Sequence, residues 1–130
     1  MLRHLRWALL WAGVILWLCL IPGSSIPAWT WLSLFNPDKV VHAGMFFVLS
    51  LLLAQAFRTS ASPARYLVWG VLISVGYGIA TEFMQELEAL GRRLDVNDMI
   101  ANAVGATSAA LYANWREKKG KAIVPLAFLR

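Results

Sequence analysis

Six side chains able to carry charge or hydrogen bonds stand at the ends of otherwise apolar stretches: Asp38, His42, Glu82, Gln85, Asp98 and Asn102. Asp38 and His42 are four apart, Glu82 and Gln85 three apart, and Asp98 is followed by Asn102 at i+4 and Gly105 at i+7. In a helix each of these sets falls on one face. An imidazole titrates near neutral pH and suits general acid–base work. His42, Glu82 and Asp98 are therefore the candidate catalytic groups, with His42 or Glu82 moving a proton and Asp98 orienting it. Asp38, Lys39, Gln85, Arg92 and Asn102 are candidate substrate-binding groups. Lys39 and Arg92, with neighbouring Arg93, could hold an anionic phosphate or carboxylate headgroup. Two carboxylates and an imidazole could also hold a divalent metal. No H-x-x-x-H or H-E-x-x-H spacing is present, so no metal or other cofactor is assigned. A G-x-S-x-G elbow, a Walker loop and a cysteine near the polar residues are also missing. The competing reading is a structural clamp, in which carboxylates pair with Arg92 or Lys39 and the amides bridge helices.

Four apolar stretches must position these groups: Leu5 to Ile21, Val40 to Phe57, Tyr66 to Met84 and Asp98 to Trp115. Each is about 17–19 residues, enough for a helix to cross a ~30 Å hydrocarbon core. Helices satisfy their own backbone groups in lipid, so an all-α polytopic bundle of about four transmembrane helices is expected. The composition agrees. The 130 residues are 59% apolar and 15% charged, with mean hydropathy +0.60; soluble domains carry about 45–50% and 25%. The whole of 1–130 reads as one domain, with a motif-bearing core at about 36–115 and a basic tail at 116–130.

Charge distribution sets the orientation. Arg3, Arg6, Arg58, Arg65, Arg116, Lys118, Lys119, Lys121 and Arg130 fall on one side of alternating spans. Lys39, Arg92 and Arg93 fall on the other, with Asp38, Glu82, Glu86, Glu88, Asp95 and Asp98. Both termini are expected in the cytoplasm of a multi-pass inner-membrane protein, with the polar groups at the extracytoplasmic mouth. The net charge of +5 is then a topology signal and a contact for anionic membrane lipid, and nucleic acid is not an expected partner. Arg3 and Arg6 before an apolar run also fit a signal peptide, but no A-x-A site follows, and retention is expected. Cys19 has no partner for an intrachain disulfide. The tail, basic and then apolar, is expected to lie along the inner surface.

Small residues at four-residue spacing, Gly70-Ser74-Gly78 and Ala101-Gly105-Ala109-Ala113, let membrane helices approach closely. They predict that spans three and four form a tight hairpin near Gly78 and Gly105. Span one supplies none of the polar residues and reads as an anchor.

The ordered set Asp38-Lys39-x-x-His42, Glu82-x-x-Gln85, Gly91-Arg92 and Asp98-x-x-x-Asn102-x-x-Gly105 resembles the VanZ-like membrane protein family. The resemblance covers about residues 36 to 115, and Asp38, Lys39, His42, Glu82, Gln85, Arg92, Asp98 and Asn102 match the family's characteristic polar positions. It implies a bacterial integral membrane protein of the cell envelope, with glycopeptide resistance as the role of its namesake. It supplies no reaction. The expected function is binding or processing of a lipid-linked envelope precursor at the outer face; the alternative is a non-catalytic scaffold or accessory subunit. Whether the chain is an enzyme is left open.

Overall fold

The computed structural model describes residues 2–20, 37–58, 65–85 and 96–129. Among them are four α-helices, α1 (Leu2–Leu20), α2 (Pro37–Arg58), α3 (Tyr66–Gln85) and α4 (Val96–Lys118), and a terminal 3-10 turn, Ala127–Leu129. No strand occurs among the described residues. Each element follows from its sequence. Pro37 opens α2 at a position where its fixed φ suits a helix and its missing N–H costs nothing. Asp98 in the first turn of α4, and Arg116 and Lys118 in its last, complement the helix dipole. Gly120 ends α4 with φ of 69°, and Gly120 N–H and Lys121 N–H donate to the carbonyls of Glu117 and Arg116.

The second helix is the centre of the bundle: every residue from Leu49 to Ala56 is buried. Its most extensive contact is with α4, followed by α3 and then α1. As expected, α3 and α4 are neighbours, but both small-residue stripes also serve α2. Gly70 lies against the backbone of Ser50 and Ala54, and Gly105 against Ala43, all on α2. A Cβ on Gly105 would stand 2.7 Å from the Ala43 carbonyl carbon, closer than real side chains come. Ser50 Oγ donates to the Ala106 carbonyl at 3.1 Å and also ties α2 to α4.

Around its apolar core the bundle exposes many apolar side chains and buries several polar ones. Leu9, Leu10, Val14 and Trp17 of α1, Leu72, Ile73, Ile79 and Phe83 of α3, and Ile100, Val104 and Leu111 of α4 are exposed. Ser50, Gln55, Ser74, Thr81, Glu82 and Asn102 are buried. Soluble surfaces avoid apolar belts of this extent. Two helices, Val40–Arg58 and Tyr66–Met84, are long and apolar enough to cross a membrane.

The first helix does more than anchor. Trp11 Nε1 donates to the Met45 carbonyl at 2.8 Å, and Tyr77 Oη donates to the Ala12 carbonyl at 2.5 Å. Ala8 and Ile15 pack with Phe46, Leu49 and Leu53 of α2 in one buried cluster. The tail packs partly on the bundle. It turns back after Gly120, Arg116 Nε donates to the Ala122 carbonyl at 2.8 Å, and Ile123 and Val124 are buried against Leu51, Ala54, Tyr66 and Ala109. Two adjacent apolar residues gain more by closing the end of the bundle than by lying beside it.

Candidate functional site

Three helices deliver one side chain each to a common point. His42 comes from the first half of α2, Glu82 from the last turn of α3, and Asp98 from the first turn of α4. One ligand atom from each, an imidazole nitrogen and two carboxylate oxygens, all lie within 4.8 Å of one another. Asn102, one turn below Asp98, completes the group: His42 Nδ1 is 3.1 Å from Asn102 Oδ1.

That contact orients the imidazole. A carbonyl oxygen only accepts, so Nδ1 is the donor of this contact, and Nε2 lies on the far edge of the ring. Nε2 faces Asp98 Oδ2 at 3.8 Å. This is close enough for an ion pair but beyond the 2.7–2.9 Å typical of a charge-assisted hydrogen bond. Thus the ring is held on one edge and directed at a carboxylate, without touching it, on the other.

Helix packing explains the register. Gly105 meets Ala43, next to His42 in sequence, and shares the Asp98–Asn102 stripe. The close approach of these backbones therefore carries His42 to Asp98 and Asn102. Gly78 plays the corresponding part on α3. A Cβ there would stand 3.0 Å from Asn102 Nδ2 and 3.1 Å from the Phe46 ring. The missing side chain leaves space for the amide one turn below Glu82. Phe46 is fully buried and packs near Tyr77, with ring centroids 6.3 Å apart, giving the cluster an apolar floor. Thr81 Oγ1 returns its proton to the Gly78 carbonyl at 2.9 Å, so that hydroxyl is engaged within α3.

Burial is uneven. Glu82 and Asn102 are each 1% exposed, whereas the His42 and Asp98 side chains are 12% and 16% exposed. Glu82 and Asn102 are thus fully buried, while His42 and Asp98 keep a small part of their surface accessible. Asn102 Nδ2 is buried and has no hydrogen-bond partner among the described residues. In a setting with little water, electrostatic interactions between such groups are strengthened.

The structure therefore brings together His42, Glu82, Asp98 and Asn102. Asp38 and Lys39 lie on α2 and Gln85 at the end of α3, but their side chains are outside what is described; Arg92 is outside the described residues.

A second polar group, at the opposite end of the bundle, was not found by sequence reasoning. Glu117 at the end of α4 accepts from Arg58 Nε at 3.2 Å and pairs with Arg58 Nη2 at 3.1 Å. Tyr66 Oη also donates to it. Glu117 sits between basic residues in the tail and reads there as a solvated charge. The only signal was that Arg58, Tyr66 and Glu117 all occupy helix ends that alternating spans place on one side.

A family model described as VanZ/LLP1 matches residues 7–116, from the second turn of α1 nearly to the end of α4. No curated protein matches the chain, and no solved structure does. The match takes in α1 as well as the three helices that form the cluster, and the chain belongs to the VanZ/LLP1 family.

Proposed function

We propose that this chain is a bacterial multi-pass protein of the inner membrane that binds or processes a lipid-linked envelope precursor at its extracytoplasmic face. In this reading all four helices cross the bilayer and both termini are cytoplasmic. The apolar exterior supports membrane embedding, since α1, α3 and α4 direct leucine, isoleucine, valine and aromatic side chains outward. The positive-inside distribution supports the orientation.

The observation that carries the reading is the convergence of His42, Glu82 and Asp98 at one end of three helices. Ionisable groups inside a membrane bundle are costly, and such groups mark sites for substrates, ions or protons. His42 or Glu82 would exchange a proton with the bound headgroup, with Asp98 orienting His42. Lys39 and Arg92 would hold the headgroup's negative charge at the rim, with Asp38, Gln85 and Asn102 shaping the pocket. A link to glycopeptide resistance belongs to the same proposal and rests on the family.

The His42–Asn102 contact favours a second reading, because it joins α2 to α4 as a clamp would. In that case the protein is a scaffold or accessory subunit. Mass spectrometry of lipid that co-purifies in mild detergent separates the two. A bound anionic lipid that is lost in Glu82→Gln, with the variant still folded and abundant, supports the site. Equal lipid content in both proteins, or loss of the folded protein itself, supports the clamp.

A further inference from the structure

We propose that His42 Nε2 and the carboxylates of Glu82 and Asp98 form a three-ligand site for one first-row divalent cation of the Zn2+ class. The inference deepens the reading of this cluster as a working site and rests on it, though not on the identity of the lipid; with the cation bound, His42 and Glu82 serve as its ligands rather than as proton carriers.

The first support is spacing. A zinc ion takes nitrogen at about 2.0–2.1 Å and carboxylate oxygen at about 2.0–2.2 Å. Two ligands of one ion are then about 3 to 4 Å apart, depending on the angle between them. Nε2 and Asp98 Oδ2, at 3.8 Å, fall in that range. One ligand atom from each of His42, Glu82 and Asp98 lies within 4.8 Å of the others, so the widest pair would have to draw closer to share one ion. The same 3.8 Å is too long for a direct hydrogen bond.

The second support is the orientation of the imidazole. Metal-bound histidines give their other ring N–H to a carbonyl or carboxylate, which fixes the tautomer and orients the ring. Asn102 Oδ1 holds Nδ1 in that manner at 3.1 Å and leaves Nε2 directed toward Asp98. Asn102 is itself 1% exposed, so the amide that holds the ring is buried. Its Nδ2, buried beside Gly78 one turn below Glu82, has no hydrogen-bond partner among the described residues.

The third support is the donor set, one imidazole nitrogen and two carboxylate oxygens. Mixed nitrogen and oxygen donors suit Zn2+ or Mn2+, whereas Ca2+ prefers an all-oxygen shell. Three protein ligands leave a position beside the partly accessible His42 and Asp98, where an anionic oxygen such as a phosphate oxygen could bind.

The test uses the full-length protein in detergent, with any histidine tag removed, after EDTA treatment and exchange into metal-free buffer. Co2+ serves as the optical probe and Zn2+ as its competitor, with stoichiometry from elemental analysis. One Zn2+ per chain is expected, with a melting temperature that rises with Zn2+ concentration. His42→Ala and the near-isosteric Glu82→Gln are each expected to weaken Co2+ binding by about 100-fold or more, beyond the 10–100-fold typical of outer-shell losses. Should His42→Ala not fold, Glu82→Gln and the Zn2+ dependence of the unaltered protein's melting still decide. No saturable binding, or binding unchanged by Glu82→Gln, overturns the proposal. Lipid analysis of the EDTA-treated protein keeps the two ideas separate: retained anionic lipid without metal binding removes the cation and leaves the lipid reading standing.

Discussion

His42 Nδ1 and Asn102 Oδ1 meet at 3.1 Å across the α2–α4 interface, and this contact decides which face of the imidazole is available for chemistry. Asn102→Leu keeps the approximate size of the side chain and removes the acceptor. It frees the ring to rotate and leaves a buried N–H unsatisfied, at a cost of about 1–3 kcal/mol. The expected result is a lower melting temperature and a loss of metal affinity of about 10–100-fold. Unchanged Co2+ affinity in a folded Asn102→Leu protein would show that the amide does not position the ring.

Gly105 is the position where α2 and α4 approach most closely, because Ala43 backbone atoms occupy the space a side chain would need. Gly105→Ala forces the helices apart and should destabilise the bundle by about 1–3 kcal/mol, the usual cost of overpacking. Gly76 has nothing within 4 Å of its potential side chain. Gly76→Ala should be neutral or gain up to about 1 kcal/mol from helix propensity. Thermal or denaturant unfolding in detergent compares them; equal stability of the two variants would contradict the packing described.

At the other end, Tyr66, Arg58 and Glu117 tie α2, α3 and α4 together. Tyr66 is 5% exposed, while the Arg58 and Glu117 side chains are each 39% exposed. Solvent screens the ion pair, so Arg58→Ala should cost less than about 1 kcal/mol, and less still at high salt. Tyr66→Phe removes a hydrogen bond from a more buried group and should cost about 1 kcal/mol or somewhat more. A larger loss in Arg58→Ala than in Tyr66→Phe, measured by unfolding, would reverse this ranking.

Orientation can be read by cysteine labelling in a Cys19→Ser background. Val96→Cys lies at the His42 end on an exposed residue, and Lys119→Cys follows α4 at the opposite end. In intact cells an impermeant maleimide should react with the cysteine at 96, and with that at 119 only after permeabilisation. The reverse pattern would place the polar cluster on the cytoplasmic side.

Much was legible in the sequence because it depends on single helices. Hydrophobic length located α2 and α3 closely, and three- and four-residue spacings grouped Asp98 with Asn102 and Gly105 before any packing was known. The resemblance carried by the same residues agrees with the family match over 7–116. Sequence by itself also placed His42, Glu82 and Asp98 near one end of the bundle. What it could not supply was the rotation and axial offset of one helix against another. Those are decided by where backbones can touch, and Gly105 against Ala43 is such a place. That contact, rather than an α3–α4 hairpin alone, sets His42 against Asn102 and Asp98 and makes α2 the centre. The same limit hid Glu117, whose partners Arg58 and Tyr66 are 59 and 51 residues away. It also hid the folded-back tail, since burial of Ile123 and Val124 depends on a surface that exists only after α2, α3 and α4 have assembled.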